Sequence, residues 1–94
     1  MKTDMLLRAL SEASKDERLN NWHLAIYQAL IIMFAKNRSE GAFSISRSKV
    51  MKLSRIKAAA TYHKYIQELE GMGYIQYTPS YHPKNGSTVK LITV

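Results

Sequence analysis

The side chains best suited to chemistry lie in the second half of this 94-residue chain, where cationic and neutral hydrogen-bonding groups are interleaved over residues 46–67. Residues 47–94 hold eight Lys and Arg against two acidic residues, Glu68 and Glu70, a net charge of +6. Residues 1–46 hold six basic and five acidic residues, so nearly all of the total charge of +7 lies in the second half. Such an excess attracts polyanions. The expected partner is therefore nucleic acid or an anionic membrane surface, met through the second half.

Catalytic and metal-binding signatures are missing from the sequence. The chain has no cysteine, which excludes a disulfide framework, a thiolate nucleophile and a zinc site of the cysteine kind. It has no Gly-rich phosphate loop, no His-Glu-x-x-His motif and no nucleophile elbow. His23 has no second histidine three or four residues away, so we expect it to be a packed or capping residue rather than a metal ligand. We therefore expect no catalytic residue, no metal site and no cofactor.

The first part of the chain has the pattern of two helices. The first is expected to be capped by Thr3 and to carry apolar residues at three- and four-residue spacing, at Leu6, Leu7, Leu10 and Ala13. The second runs from a cap at Asn20 or Asn21 to about Lys36. Twelve of the fourteen residues from 22 to 35 are apolar. Because a helix that is apolar nearly all round must be covered on more than one side, we expect a homodimer through residues 5–34.

The second part of the chain predicts a strand, two short helices and two further strands. These are a strand at 42–46, a helix at 47–53 capped by Ser46, a turn at 54–57, a helix at 58–71, and strands at 74–78 and 88–94. Tyr62, Ile66 and Leu69 share one face of the helix at 58–71 and are expected in the core. The order α-α-β-α-α-β-β predicts a single α+β domain over 1–94, mainly α, with residues 1–37 as a helical extension and 42–94 as the functional part.

This order from residue 42 onward resembles the winged helix-turn-helix superfamily, over about half of the chain. In that superfamily a serine opens the second helix, a threonine and an apolar residue begin the recognition helix, and leucine, glycine and isoleucine close it. The matching positions here are Ser46, Thr61, Tyr62, Ile66, Leu69, Gly73 and Ile75. The strings at 60–64 and 77–83 also look like small regulator-like proteins of bacterial mobile elements. One departure is the alanine run at 58–60, where such helices usually begin with a Ser or Thr cap.

The resemblance implies sequence-specific binding to double-stranded DNA, with the helix at 58–71 in the major groove and the loop at 79–87 as a wing on the backbone or minor groove. On the helix, the residues expected to face the DNA are Ala59, Ala60, Thr61, His63, Lys64 and Gln67. Around it, the expected phosphate ligands are Arg47, Ser48, Arg55 and Lys57, and Ser46 is also expected at the DNA-binding surface. The wing is expected to contribute Tyr81, Lys84, Asn85 and Ser87. These residue types suit the task, because alanine can contact a thymine methyl and the others can hydrogen-bond base edges or phosphates.

Several roles remain open from the sequence. The first is transcriptional regulation, with excision or replication accessory work on a mobile element as a close variant. The same fold also serves as a protein-interaction adaptor, and RNA binding is a further alternative. The net charge of +6 on residues 47–94 favours DNA binding over an adaptor role.

Membrane insertion and secretion are not expected. The longest apolar stretch, Leu24–Ala35, has twelve residues, whereas a spanning helix needs about 20. Residues 1–8 have neither a sustained apolar core nor a small-residue cleavage site, so they do not form a secretion signal. The expected location is cytoplasmic and nucleoid-associated.

Overall fold

The computed structural model describes residues 2–37, 41–79 and 86–92, which form four helices and one three-stranded antiparallel sheet. The elements are α1 (Lys2–Lys15), α2 (Asn21–Lys36), β1 (Phe43–Ile45), α3 (Arg47–Ser54), α4 (Ala59–Gly71), β2 (Ile75–Thr78) and β3 (Ser87–Leu91). Their order is the predicted one, and the mainly helical α+β class is confirmed. Several element bounds coincide with the predicted ones, and the others differ by one to three residues.

The last strand in the sequence occupies the centre of the sheet, whose strand order is β1-β3-β2. Phe43 of β1 lies opposite Val89, and Ile75 of β2 lies opposite Leu91. These four residues and Ile45 are buried, whereas the alternate residues of the three strands are more exposed. One face of the sheet is therefore packed against the helices, as the period of two in a strand requires.

Helix α2 lies at the centre of the molecule and packs against α1, α3, α4 and β1. Its buried residues point to several sides of the helix and are His23, Ile26, Tyr27, Ala29, Leu30, Ile31 and Phe34. A second copy of the chain was predicted to cover α2, because the helix is apolar nearly all round. Most of that cover comes from the chain itself. The exception among the large apolar side chains of α2 is Trp22, which remains 45% exposed in the first turn.

Helix α1 departs from the prediction at its beginning and on its apolar face. It begins at Lys2, so Thr3 lies within the helix instead of capping it. Leu7 is 61% exposed, whereas Leu6 and Ala13 are buried. Because successive residues are about 100° apart around a helix, a face centred on Leu6 and Ala13 turns Leu7 toward solvent. The predicted stripe was therefore one residue too wide.

Asn20 caps α2, at one of the two predicted positions, and forms a capping box with His23. The Asn20 Oδ1 atom accepts hydrogen bonds from the backbone N–H groups of Trp22 and His23, at 2.8 and 3.2 Å. In return the backbone N–H of Asn20 donates to Nδ1 of His23 at 2.9 Å. The prediction that His23 is a packed or capping residue is confirmed, since it is both.

His23 also connects α2 to α4. Its Nδ1 accepts a hydrogen bond, so the ring proton is on Nε2, which donates to Oε1 of Glu68 at 2.6 Å. The ring of Tyr65 meets the His23 ring edge-on, with 4.7 Å between the ring centres. Asn20 Nδ2 donates to the Tyr65 hydroxyl at 3.3 Å. The beginning of α2 thus fixes α4 through one polar network, which sequence reasoning did not predict.

A second polar contact joins the turn after α1 to Tyr74, the residue before β2. The hydroxyl of Tyr74 donates to Oδ2 of Asp16 at 2.6 Å. Arg18 donates to the same carboxylate through Nε and Nη2, at 3.0 and 2.6 Å. The Arg18 guanidinium and then the Tyr74 hydroxyl hold the pKa of Asp16 well below its usual range. The carboxylate therefore stays ionised far into the acidic range.

We expect Asp16→Asn to destabilise the protein at pH 7, because it removes the charge that Arg18 and Tyr74 stabilise. The pKa of Asp16 is lower in the folded than in the unfolded chain, where it is about 3.9. The stabilisation is therefore complete above that value and is lost as the pH falls toward the folded-state pKa. Urea unfolding between pH 2 and 7 should show the difference in unfolding free energy shrinking below about pH 4. The control is Glu12→Gln, an exposed carboxylate on α1. A constant difference across this range would contradict the assignment.

Candidate nucleic-acid interface

Helix α3 begins and ends at residues that the sequence placed in the site. The Ser46 hydroxyl accepts from the backbone N–H of Lys49 at 3.4 Å, which confirms Ser46 as the cap. It also lies 3.0 Å from the hydroxyl of Ser48, so two of the predicted DNA-binding residues are in contact. Arg55 ends the helix in the left-handed conformation, with φ 60° and ψ 32°. That conformation costs a residue with a Cβ about 1–2 kcal/mol.

The turn from α3 into α4 is short and anchored. Ile56 is buried in the core, and its backbone N–H donates to the carbonyl of Met51 at 2.9 Å. Arg55 and Lys57, on either side of it, are both exposed. The turn therefore presents two cations directly before α4 begins.

The first turn of α4 carries no side chain that neutralises its positive end. Ala58 occupies the N-cap position and makes no side-chain hydrogen bond to the helix, as its residue type dictates. The first turns of both α3 and α4 lack an acidic residue. Because the N-terminal end of a helix bears partial positive charge, these two ends add to the positive potential of the nearby cations.

The outward face of α4 is the predicted one. Its exposed residues between 59 and 67 are Ala59, Ala60, His63, Lys64 and Gln67. Thr61, also predicted to contact DNA, is half-buried at the edge of this face. The predicted core residues Tyr62, Ile66 and Leu69 are buried, and Tyr65 joins them. Tyr65 was missed because its burial depends on packing against Asn20 and His23, which are distant in the sequence.

A groove of about 700 Å³ lies between the beginning of α3, the first half of α4 and the ends of β1 and β3. It brings together four of the predicted site residues, namely Ser46, Arg47, His63 and Ser87. It also contains Lys49 and Tyr77, which were not predicted as site residues. Lys49 reaches the groove because it is one turn from Ser46 at the same end of α3. No acidic side chain lines this groove among the described residues.

The residues that line the groove include the hydroxyl-bearing side chains of Tyr62, Tyr77 and Ser87. The Tyr77 hydroxyl donates to Oγ of Ser87 at 3.0 Å, joining β2 to β3. Burial raises the pKa of Tyr62 to about 12, the nearby Tyr77 adds to the shift, and the Arg47 guanidinium opposes it. The Tyr62 hydroxyl therefore keeps its proton at neutral pH and brings no negative charge to the groove. Cations and neutral hydroxyls together suit an anionic ligand.

The predicted wing is only partly within the described residues. Tyr81, Lys84 and Asn85 lie outside them. Ser87 was predicted as the last residue of the wing loop, but it is the first residue of β3, opposite Ile45. Its hydrogen bond with Tyr77 and its pairing with β1 make it part of the sheet. The strand therefore begins one residue earlier than predicted.

The part of the chain that the structure describes has neither a metal-binding cluster nor a membrane-spanning helix. No three His, Asp or Glu side chains gather there as they would around a metal ion. No helix in residues 2–37, 41–79 and 86–92 combines the length and the apolar character needed to cross a bilayer.

We expect Gly86→Ala to lower the free energy of unfolding by about 1–3 kcal/mol, as overpacking does in other proteins. A Cβ at this position would lie 2.5 Å from the backbone carbonyl oxygen of Ile45, which cannot move without disturbing β1. Gly71→Ala is the matched control, since nothing lies within 4 Å of its Cβ position at the end of α4. Thermal and urea unfolding of both variants measure the effect. Equal stabilities would show that β1 does not pack against residue 86.

Comparison with known proteins adds no relative to this description. No protein-family model matches the chain, and neither a curated protein nor a solved structure is significantly similar to it. The candidate site is therefore described from the residues of this chain alone.

Proposed function

We propose that this protein binds double-stranded DNA sequence-specifically and inserts α4 into the major groove. The observation that carries the proposal is the solvent face of α4, which bears small or hydrogen-bonding side chains and no acidic residue between 59 and 67. A helix fits the major groove of B-DNA and reads base edges there with its first turns. Small residues at 59 and 60 permit the close approach that this requires.

The surrounding cations support the same orientation. Arg47 and Lys49 line the groove beside His63 on one side of α4. Arg55 and Lys57 are exposed in the turn that leads into the helix. Cations beside a recognition helix and directly before its beginning can contact the phosphates that border the major groove.

The two acidic residues of this half of the chain are occupied by contacts within the protein. Glu68 accepts from His23 at 2.6 Å, and Glu70 accepts from the backbone N–H of Tyr77 at 3.1 Å. Both lie in the second half of α4, beyond the turns that would enter the groove. Their negative charges therefore do little to reduce the attraction between DNA and the beginning of α4.

The arrangement of the sheet is consistent with a winged helix-turn-helix fold. Strands β2 and β3 are antiparallel neighbours, and the residues between them are those predicted to form the wing. In this proposal α3 crosses the DNA backbone, α4 enters the major groove and the wing contacts the backbone or minor groove. The biological role would be transcriptional regulation, or excision or replication accessory work on a mobile element.

We expect Arg55→Ala to weaken DNA binding without unfolding the protein, because Arg55 is exposed beside α4. Binding to duplex DNA should weaken with salt, with a slope of log K against log [salt] of about −0.9 per phosphate contacted. Removal of one phosphate contact should reduce the magnitude of this slope by about one. Fluorescence anisotropy with a labelled duplex over a range of salt concentrations measures both quantities. Lys64→Ala tests α4 itself, and a relaxed sequence preference there would indicate a base contact.

Lys15→Ala is the control for charge, since it removes one exposed cation from α1. It should leave affinity and slope nearly unchanged. If Arg55→Ala and Lys64→Ala bind as tightly as the parent while folded, α4 is not the recognition helix. If the parent shows no salt-dependent binding to duplex DNA, the adaptor role is favoured.

The homodimer through residues 5–34 is a second part of the proposal. Its support is now the exposed apolar side chains of Met5, Leu7 and Trp22 on α1 and α2, because α2 itself is largely covered. A two-fold dimer would present two recognition helices to half-sites about 34 Å apart or a multiple of that distance. Light scattering at micromolar concentration should give twice the chain mass of 10.8 kDa. A monomer both free and on DNA would refute the dimer.

A further inference from the structure

The side chains that α4 exposes differ in which bases they can read. Arg and Lys are the usual readers of guanine, because they donate to its O6 and N7 atoms. Helix α4 has no arginine, and Lys64 is its one lysine. The Nζ atom of Lys64 lies 5.2 Å from the centre of the Tyr65 ring, in cation–π contact. This contact draws the ammonium along the helix flank toward the beginning of α2, where Tyr65 packs on His23.

The remaining exposed groups complement adenine and thymine. Gln67 carries an amide that can donate to N7 and accept from N6 of the same adenine. Ala59 and Ala60 expose methyl groups that cannot hydrogen-bond any base, and their partner in the major groove is the C5-methyl of thymine. His63 can donate or accept a hydrogen bond and so favours neither kind of base pair.

Spacing allows these contacts to act together. Residues 60 and 67 are seven apart, which places them on one face of the helix about 10 Å from each other along its axis. Base pairs are about 3.4 Å apart along B-DNA, so the two residues can reach different base pairs of one short site. From these observations we infer that the duplex site read by α4 has a core of A·T base pairs. Thymine is read by Ala59 and Ala60, and adenine by Gln67. This inference rests on the proposed DNA binding and names the sequences bound.

Selection of bound sites from a random duplex library gives the first test. The expected result is an A·T core flanked by positions without preference. The bound duplex is then compared with one in which each core thymidine is replaced by deoxyuridine, which lacks the methyl group. Removing one contacted methyl group should weaken binding about fourfold, as expected for one buried methyl.

Two variants assign the contacts to residues. With Ala60→Gly, the ratio of the affinities for the thymidine and deoxyuridine duplexes should fall by about fourfold. This separates the methyl contact from any change in DNA shape. With Gln67→Ala, a helix-compatible change, one adenine position should become unselective in the selected sites. Arg55→Ala is the control, because a phosphate contact contributes to affinity for all sequences alike, and its removal leaves the A·T preference in place.

The outcomes separate this inference from the function on which it rests. Salt-dependent binding to sites with a G·C core, or equal affinity for the thymidine and deoxyuridine duplexes, would overturn the A·T assignment and leave DNA binding standing. Absence of all duplex binding at low salt would overturn both. The A·T assignment would be established by an A·T core together with a smaller thymidine-to-deoxyuridine affinity ratio in Ala60→Gly and a loss of selectivity at one adenine in Gln67→Ala.

Discussion

The arrangement of the whole chain depends on the need to cover α2 on several sides. Ile26 and Leu30 are fully buried, and so are residues on the neighbouring faces of the same helix. Burying an apolar side chain of this size stabilises a protein by about 1.5–3 kcal/mol, so no face of α2 can be left open cheaply. Helices α1, α3 and α4 and the strand β1 supply the cover. The outward faces of α3 and α4 stay exposed to solvent.

The apolar residues Tyr62, Ile66 and Leu69 set which face of α4 is buried, although apolar contacts have little directional preference. The hydrogen bond from His23 to Glu68 supplies the direction, since it joins one atom of α2 to one atom of α4 at 2.6 Å. His23 is itself held by the backbone N–H of Asn20, so the ring has little freedom to rotate. This polar contact therefore adds a directional restraint to the packing that determines which residues α4 exposes.

Local signals in the sequence predicted the parts of the fold that depend on nearby residues. The caps at Asn20 and Ser46 and the buried face of α4 were correct, because a cap and a helical face are set within a few residues. Leu7 was placed wrongly, since spacing identifies an apolar stripe but not its edges. The groove beside His63 could not be found from spacing, because it joins residues of α3, α4 and the sheet that are distant in the chain. Its members Lys49 and Tyr77 gave no signal beyond their residue types. The same limit applies to the predicted dimer, since composition does not say whether the cover of an apolar helix comes from its own chain or from another copy.

The central position of β3 has a consequence for the order of folding. Strands β1 and β2 do not pair with each other within the sheet, and each pairs with β3. Strand β1 therefore has no paired neighbour until the segment around Val89, which is distant in the sequence from Phe43, joins the sheet. Helices form from contacts within a few residues, whereas such distant pairings close slowly. The helical part of the surface can thus take shape before the strands that border it, and the sheet closes the molecule last.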